Sequence, residues 1–306
     1  TQDLPDLLRA GDLLVINDTR VIPARLLGRR IDDRATEAEV ELLLVEQQDE
    51  LTWSALAKPG RRARVGARIA FAGGPAAEVV AVHDDGRRLV RFEAPVEPHL
   101  DRIGHVPLPP YIRRVDGAAD RQDYQTVFAR RPGAIAAPTA GLHFSQTMLD
   151  RARGRGVEIA SVTLHVGIGT FKPITATLVH EHRMEPERYE IPPDTEVAIR
   201  RTRERGGRVV AVGTTVVRTL EASALLSGGE PLAGSGSTNL FVTPGFRFLV
   251  VDALLTNFHL PGSTLLLLVC AFGGTDRVLA AYGEAIAAGY RFYSYGDAMF
   301  LSRSMR

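Results

Sequence analysis

The feature that most constrains this chain is a change of texture at Pro107-Leu108-Pro109-Pro110. Before it, apolar residues recur in short alternating runs (39–45, 53–56, 68–71, 78–82 and 89–92) with no helical period. Gly60, Gly66, Gly73-Gly74 and the hairpin signal Asp84-Asp85-Gly86 punctuate these runs. Close-spaced strands of this kind predict a small β-barrel or compact sandwich. After the proline cluster, strand-like runs alternate with helical ones. Residues 134–137 and 157–166 read as strands, with a helix capped by Ser145 between them. Asp194 is placed to cap an arginine-rich helix ending at Gly206-Gly207, and strand 208–212 follows. Ser263-Thr264 opens an apolar helix that stops at Gly273-Gly274. Alternation of this kind predicts α/β layering with parallel pairing, and the opening run 12–17 fits that sheet better than the barrel. The expectation is a multi-domain α/β chain: a mixed-sheet α/β domain (1–24 with 107–306) interrupted by a β-barrel-like insertion (25–106).

With 306 residues, 45% of them hydrophobic, the chain can bury a core in each part. No apolar run approaches the ~18 residues of a membrane span, and 265–272 reads as one buried helix. No charged-then-apolar leader opens the sequence. The single cysteine, Cys270, excludes an intramolecular disulfide and lies in the apolar run, where an inert thiol is expected. A cytoplasmic location is expected. A formal net charge of +1 excludes a polybasic binder of nucleic acid but not a local patch. Lys58 and Lys172 are the only lysines. The arginine clusters at 61–64, 113–114, 130–131 and 200–208 are each more often a solvated face than a binding site.

Polar residues gather where predicted strands end, which is where open α/β sheets bind ligands. The segment 136–144 places Thr139, Gly141, His143 and Phe144 between a strand and a helix: small residues, a titratable ring and a stacking face. A tight connector with a structural histidine fits the same residues. The segment 163–172 puts His165 before Gly167, Gly169 and Thr170; its Gly-x-Gly lacks the third glycine of a dinucleotide fingerprint. In 211–221, Gly213-Thr214-Thr215 opens a helix with Arg218 one turn on, an arrangement suited to a carboxylate or phosphate or to plain capping. In 254–264, Asn257 and His259 separate a buried strand from a buried helix. Two smaller groups are Asn17-Asp18-Thr19-Arg20 and Tyr293-Ser294-Tyr295-Gly296-Asp297. No metal is expected: cysteines do not cluster, and His180 and His182 are two apart on a presumed helix, on different faces. No nucleophile elbow or Walker loop is present. From the residues alone this is an α/β enzyme with a polar cleft, and its reaction stays open.

Taken together, the segments resemble the S-adenosylmethionine:tRNA ribosyltransferase-isomerase family of queuosine biosynthesis. The likeness runs through most of the chain in order, from 17–25 through 107–112 and Tyr124-Gln125-Thr126-Val127-Phe128, then the four segments above, to 290–299. Two departures stand out. Family members usually carry some tens of residues before the position of Thr1. Where the family has a histidine after methionine, this chain reads His182-Arg183-Met184-Glu185-Pro186-Glu187, so Glu187 matches and position 185 takes no imidazole role.

The resemblance implies S-adenosylmethionine as co-substrate, no metal, and tRNA bearing 7-aminomethyl-7-deazaguanine at the wobble position as partner; no membrane association is expected from the apolar runs, and a monomer is preferred with the oligomeric state open. The ribosyl unit moves to the aminomethyl group and rearranges to an epoxycyclopentane, releasing adenine and methionine. It further implies His143, His165 and His259 as candidates for proton transfer, with Asp297 or Glu187 orienting them or sharing that work. Thr214, Thr215 and Arg218 are candidates for a carboxylate or phosphate, and Asn257 and Thr139 for a base edge. Asn17, Asp18, Arg20, Tyr111, Gly141, Phe144, Gly167, Gly169, Thr170 and Tyr295 complete the expected substrate contacts. The pairs Arg113-Arg114 and Arg130-Arg131 are the first choices for tRNA phosphates. Two rivals predict different biochemistry: an enzyme of this fold acting on a free nucleoside, and a non-catalytic RNA-binding protein.

Overall fold

The computed structural model describes residues 3–31, 38–109, 111–112, 114–167 and 178–303. The chain divides into two compact units, 1–20 with 125–306, and 21–124.

In the first unit the described residues form a seven-stranded mixed sheet in the order Gly234–Thr238, Glu187–Ile191, Glu158–Leu164, Leu13–Asn17, Val209–Val212, Ala253–Asn257, Ala298–Ser302. The four middle strands run parallel and the outer ones are antiparallel to their neighbours. Every residue of the central strand Leu13–Asn17 is buried, as expected of a parallel strand covered on both faces. The two-residue period then sorts its side chains. Leu13 and Val15 join a core with Val216, Val217, Leu220 and Ile199 from helices Thr214–Ser227 and Pro193–Glu204. Leu14 and Ile16 join a second core with Met148, Leu149 and Ala152 of helix Gln146–Gly154. A third cluster fills the angle between helices Thr264–Gly273 and Thr275–Ala287 around Phe258, Cys270 and Tyr282.

The capping signals act at two of the three expected places. The Ser145 hydroxyl accepts from Met148 N and the Ser263 hydroxyl from Leu266 N, both at 3.2 Å. The arginine-rich helix instead begins at Pro193, whose fixed φ suits a first helical position, and Asp194 lies in the first turn facing the helix dipole. The early strand stops at Ala134 (Arg131–Ala134), because residues 135–137 bend into the 3₁₀ turn Thr139–His143.

In the second unit six antiparallel strands close into a barrel: Arg25–Ile31, Ala38–Gln47, Thr52–Lys58, Arg88–Phe92, Ala77–Val82 and Arg68–Ala70, which pairs back onto Arg25–Ile31. Gly28 is required at the closing strand, since a Cβ there would lie 2.6 Å from both Ile69 Cγ2 and Phe71 Cε1. The hairpin signal is a true turn, with Gly86 at φ +86°.

One buried carboxylate holds the approach to the first unit's site. Glu221, fully buried, accepts the backbone N–H groups of Leu249, Val250 and Val251 at 2.7, 3.0 and 2.9 Å, just before strand Ala253–Asn257. Burial pushes its pKa up, and the three donors pull it back. Glu221→Ala strands all three donors, at about 1–3 kcal/mol each. We expect the urea midpoint to fall by the equivalent of at least ~3 kcal/mol; an unchanged midpoint would show that the segment is held by other contacts.

Candidate active site

The carboxyl ends of the four parallel strands meet along one edge, and the polar candidates sit there. Asn17, 1% exposed, ends the central strand. Its Nδ2 donates to Leu164 O (3.0 Å) and Thr215 Oγ1 (3.2 Å), and its Oδ1 accepts from Leu164 N (3.0 Å) and Thr19 N (3.2 Å). All four hydrogen-bonding positions of the amide are thus used inside the protein. Asp18 points to the opposite face and accepts from Thr163 Oγ1 at 2.6 Å, while its carbonyl receives Arg130 N and Arg131 N. It also lines a depression of about 250 Å³ beneath helix Gln146–Gly154, with Arg130, Gln146 and Arg153.

At the strand Ala253–Asn257, Asn257 gathers three partners. Its Nδ2 lies 3.0 Å from His143 Nε2 and 3.2 Å from Tyr293 O, and its Oδ1 accepts from Thr139 Oγ1 at 3.0 Å. Burial pushes the His143 pKa down, opposed by the Asp297 carboxylate. Asp297 itself staples its loop, accepting from Arg291 N at 2.7 Å and returning its own N–H to Arg291 O.

On the other side of the central strand, His165 Nδ1 is 2.9 Å from Thr19 Oγ1. Gly133 lies against the ring: a Cβ there would fall 2.8 Å from His165 Cε1. Burial lowers the His165 pKa; Asp18 and Glu190 oppose that, and Arg188 and Arg131 reinforce it. In both rings burial thus favours the neutral form. At ~4.8 Å per strand, the three steps from Glu158–Leu164 to Ala253–Asn257 separate their anchoring strands by roughly 14 Å. Their anchoring groups, Thr19 and Asn257, thus belong to different parts of the edge.

Glu187 and Arg218 form a buried ion pair, 6% and 3% exposed. Arg218 also donates to Leu240 O and Thr238 O, and the second Glu187 oxygen accepts from Gly167 N at 2.9 Å. Arg218 therefore locks the start of helix Thr214–Ser227 to the outer strands. Gly213, at φ +92°, turns the chain into that helix, and no side chain caps it.

The remaining candidates differ in burial and partners. Phe144 is in the core, edge-on to Phe128 at 6.1 Å, so its face is covered by protein; Gly141 is small because Thr126 and Phe128 crowd it. His259 bonds Thr256 Oγ1 at 2.8 Å through Nε2. Its accessible surface is intermediate, yet atoms enclose the ring on most sides, and the lost hydration pushes its pKa down to about 4. Arg20 is exposed, Tyr295 is 41% exposed, and Tyr111, half-buried, belongs to the barrel unit. Gly169, Thr170 and Arg113 lie outside the described residues. Arg114 is bound in a fork to Asp120 (2.5 and 2.7 Å), Arg131 lies 3.4 Å from Glu190, and Arg130 is exposed. Among the described residues, no cluster of three or more His, Cys, Asp or Glu is placed to hold a metal, and no single helix is long and apolar enough to cross a membrane.

Thr19, Gly133 and the Tyr293 carbonyl were not singled out as site groups from the sequence. Thr19 lay inside a marked segment, whereas a glycine and a backbone carbonyl leave no signal of chemistry in a sequence.

The Queuosine biosynthesis protein family model matches residues 1–301. The chain belongs to this family. Relatives named S-adenosylmethionine:tRNA ribosyltransferase-isomerase include those of Gloeobacter violaceus (55% identical, 98% of this chain and 84% of the relative) and Thermus thermophilus (51%, 98% and 87%). A crystal structure of an S-adenosylmethionine tRNA ribosyltransferase from Thermotoga maritima, 37% identical, aligns over 98% of this chain and 85% of its own with a TM-score of 0.50. The mixed α/β sheet with an inserted barrel is thus the fold of a family member.

Two outcomes follow for the queuosine-family chain. Arg218→Met leaves Glu187 buried without its counter-charge, at a cost of about 3–5 kcal/mol in denaturant unfolding; a stable variant with weakened substrate binding would instead mark Arg218 as a ligand group. The second concerns acid. Unfolded His259 takes a proton through pH ~6.5, whereas the folded ring waits until about 4. The unfolded state binds more protons in that window, so stability falls with pH from ~6.5 and levels off near the folded pKa. In His259→Asn this part of the slope disappears from urea titrations; a slope identical to wild type would mean the ring is solvated.

Proposed function

We propose that this chain transfers and isomerises the ribosyl moiety of S-adenosylmethionine onto 7-aminomethyl-7-deazaguanine in tRNA, giving epoxyqueuosine-tRNA with release of adenine and methionine. The observation that carries this reading is the strand-end edge, where two half-buried imidazoles, biased to the neutral form by burial, flank a row of internally satisfied polar groups in a chain of this family.

The sulfonium charge acidifies the adjacent ribose methylene. A base removes that proton, the carbanion so formed helps expel adenine, and the aminomethyl nitrogen attacks the anomeric carbon. Ring rearrangement then releases methionine. Such chemistry needs proton transfer near neutral pH and protection from water. His165 is the first choice for base, since its ring is held through Nδ1 by Thr19 and by the flat face of Gly133. His143 is the partner across the edge. Glu187, Asp297 and His259 support the architecture through their internal bonds, and the start of helix Thr214–Ser227 is the reading for the methionine carboxylate. The tRNA presents its anticodon loop as a single strand, with the wobble nucleotide unstacked. The chain acts as a cytoplasmic monomer without a metal.

The test is mass-spectrometric. Wild type, incubated with S-adenosylmethionine and tRNA carrying 7-aminomethyl-7-deazaguanine, is expected to yield adenine, methionine and epoxyqueuosine-tRNA in equal amounts. His165→Asn and His143→Asn are expected to lower turnover by about 10²–10⁴ with unchanged circular dichroism. Full activity in either variant removes that residue from the mechanism. Turnover of a free nucleoside, or RNA binding without adenine release, would overturn the reading.

A further inference from the structure

Asn257 is 2% exposed, and one of its neighbours has a fixed hydrogen-bonding sense. The carbonyl of Tyr293, 3.2 Å away, can only accept. It therefore requires the nitrogen of the Asn257 amide on its side, leaving the oxygen to accept from Thr139 Oγ1 at 3.0 Å. That same nitrogen lies 3.0 Å from His143 Nε2. Of its two protons, one goes to Tyr293 O and the other to the imidazole. Nε2 must then supply a lone pair, and a neutral imidazole unprotonated at Nε2 carries its proton on Nδ1.

We infer that Asn257 is a positioning residue that locks His143 in the Nδ1–H tautomer, so that the ring offers a hydrogen-bond donor at Nδ1 and no base at Nε2. The loop that aims the Tyr293 carbonyl is itself over-determined. Tyr293 is held at φ +75°, an uncommon value for a bulky residue. Gly296 is packed so tightly that a Cβ would lie 2.3 Å from Arg291 O, and Asp297 accepts from Arg291 N. Protonating His143 would set an N–H against the Asn257 N–H, in keeping with the downward shift of its pKa by burial.

The consequence rests on the function proposed above. As the bond between the anomeric carbon and the purine breaks, its electron pair moves onto adenine. A neutral donor at His143 Nδ1 suits that developing charge, and proton abstraction falls to His165. Asn257 consequently acts through His143, and its amide is not free to read a base edge.

The lock can be read without substrate. In wild-type protein labelled with ¹⁵N-histidine, with the His143 signals assigned by their loss in His143→Gln, long-range ¹H–¹⁵N correlation at pH 7 should show Nδ1 protonated and Nε2 bare. A proton on Nε2, or a charged ring, overturns the inference. In Asn257→Asp the side chain only accepts, so the ring should turn to the Nε2–H form. Turnover should then fall about 10²–10⁴-fold, the scale of a wrong tautomer in a catalytic histidine, with KM for S-adenosylmethionine little changed. Wild-type kcat in Asn257→Asp, or a retained Nδ1–H form, overturns it as well. The Nδ1–H tautomer in a protein that releases no adenine supports the lock and overturns the function.

Discussion

The edge of the α/β unit depends on the Asn17 amide. Parallel strands deliver their carboxyl ends side by side, but those ends are also where ladder bonding stops and backbone groups lose their partners. Asn17 replaces them, bonding both the N–H and the carbonyl of Leu164 on the adjacent strand and the hydroxyl of Thr215 at the head of a buried helix. A buried amide with any of these partners removed leaves an orphaned polar group. Asn17, one of the expected substrate contacts, is thus a clamp whose hydrogen bonds all go to the protein itself.

The same logic divides the charged groups. Arg218 and Glu187 are both buried, so each serves as the other's counter-charge, and they also bond Gly167, Thr238 and Leu240. Glu221 is satisfied by three backbone donors. The imidazoles differ because each keeps one nitrogen outside its anchoring bond: His143 is held at Nε2 and His165 at Nδ1. Opposite anchoring points give the two rings different capacities, although the sequence presents two histidines before turns as equivalents.

Much of this was legible in the chain. Alternation at a period of two marked the barrel strands, and Ser145 and Ser263 marked two helix starts. The site segments were legible because strand ends, glycines and histidines fall together in the sequence. Their division of labour was not. Phe144 carries an aromatic face in any sequence reading, and only packing against Phe128 covers it. Asp194 has the side chain of a cap, whereas Pro193 sets the helix start through φ.

The sequence by itself determined the fold class, the family and the segments from which a site is built, since periodicity, turn residues and ordered motifs are local properties of the chain. The tertiary structure decided which polar groups are already spent. Asn17 meets Leu164 across 147 positions, and Asn257 meets His143 across 114. Hydrogen-bond capacity is finite, and partners so far apart in the chain are assigned only when the sheet brings its strand ends together.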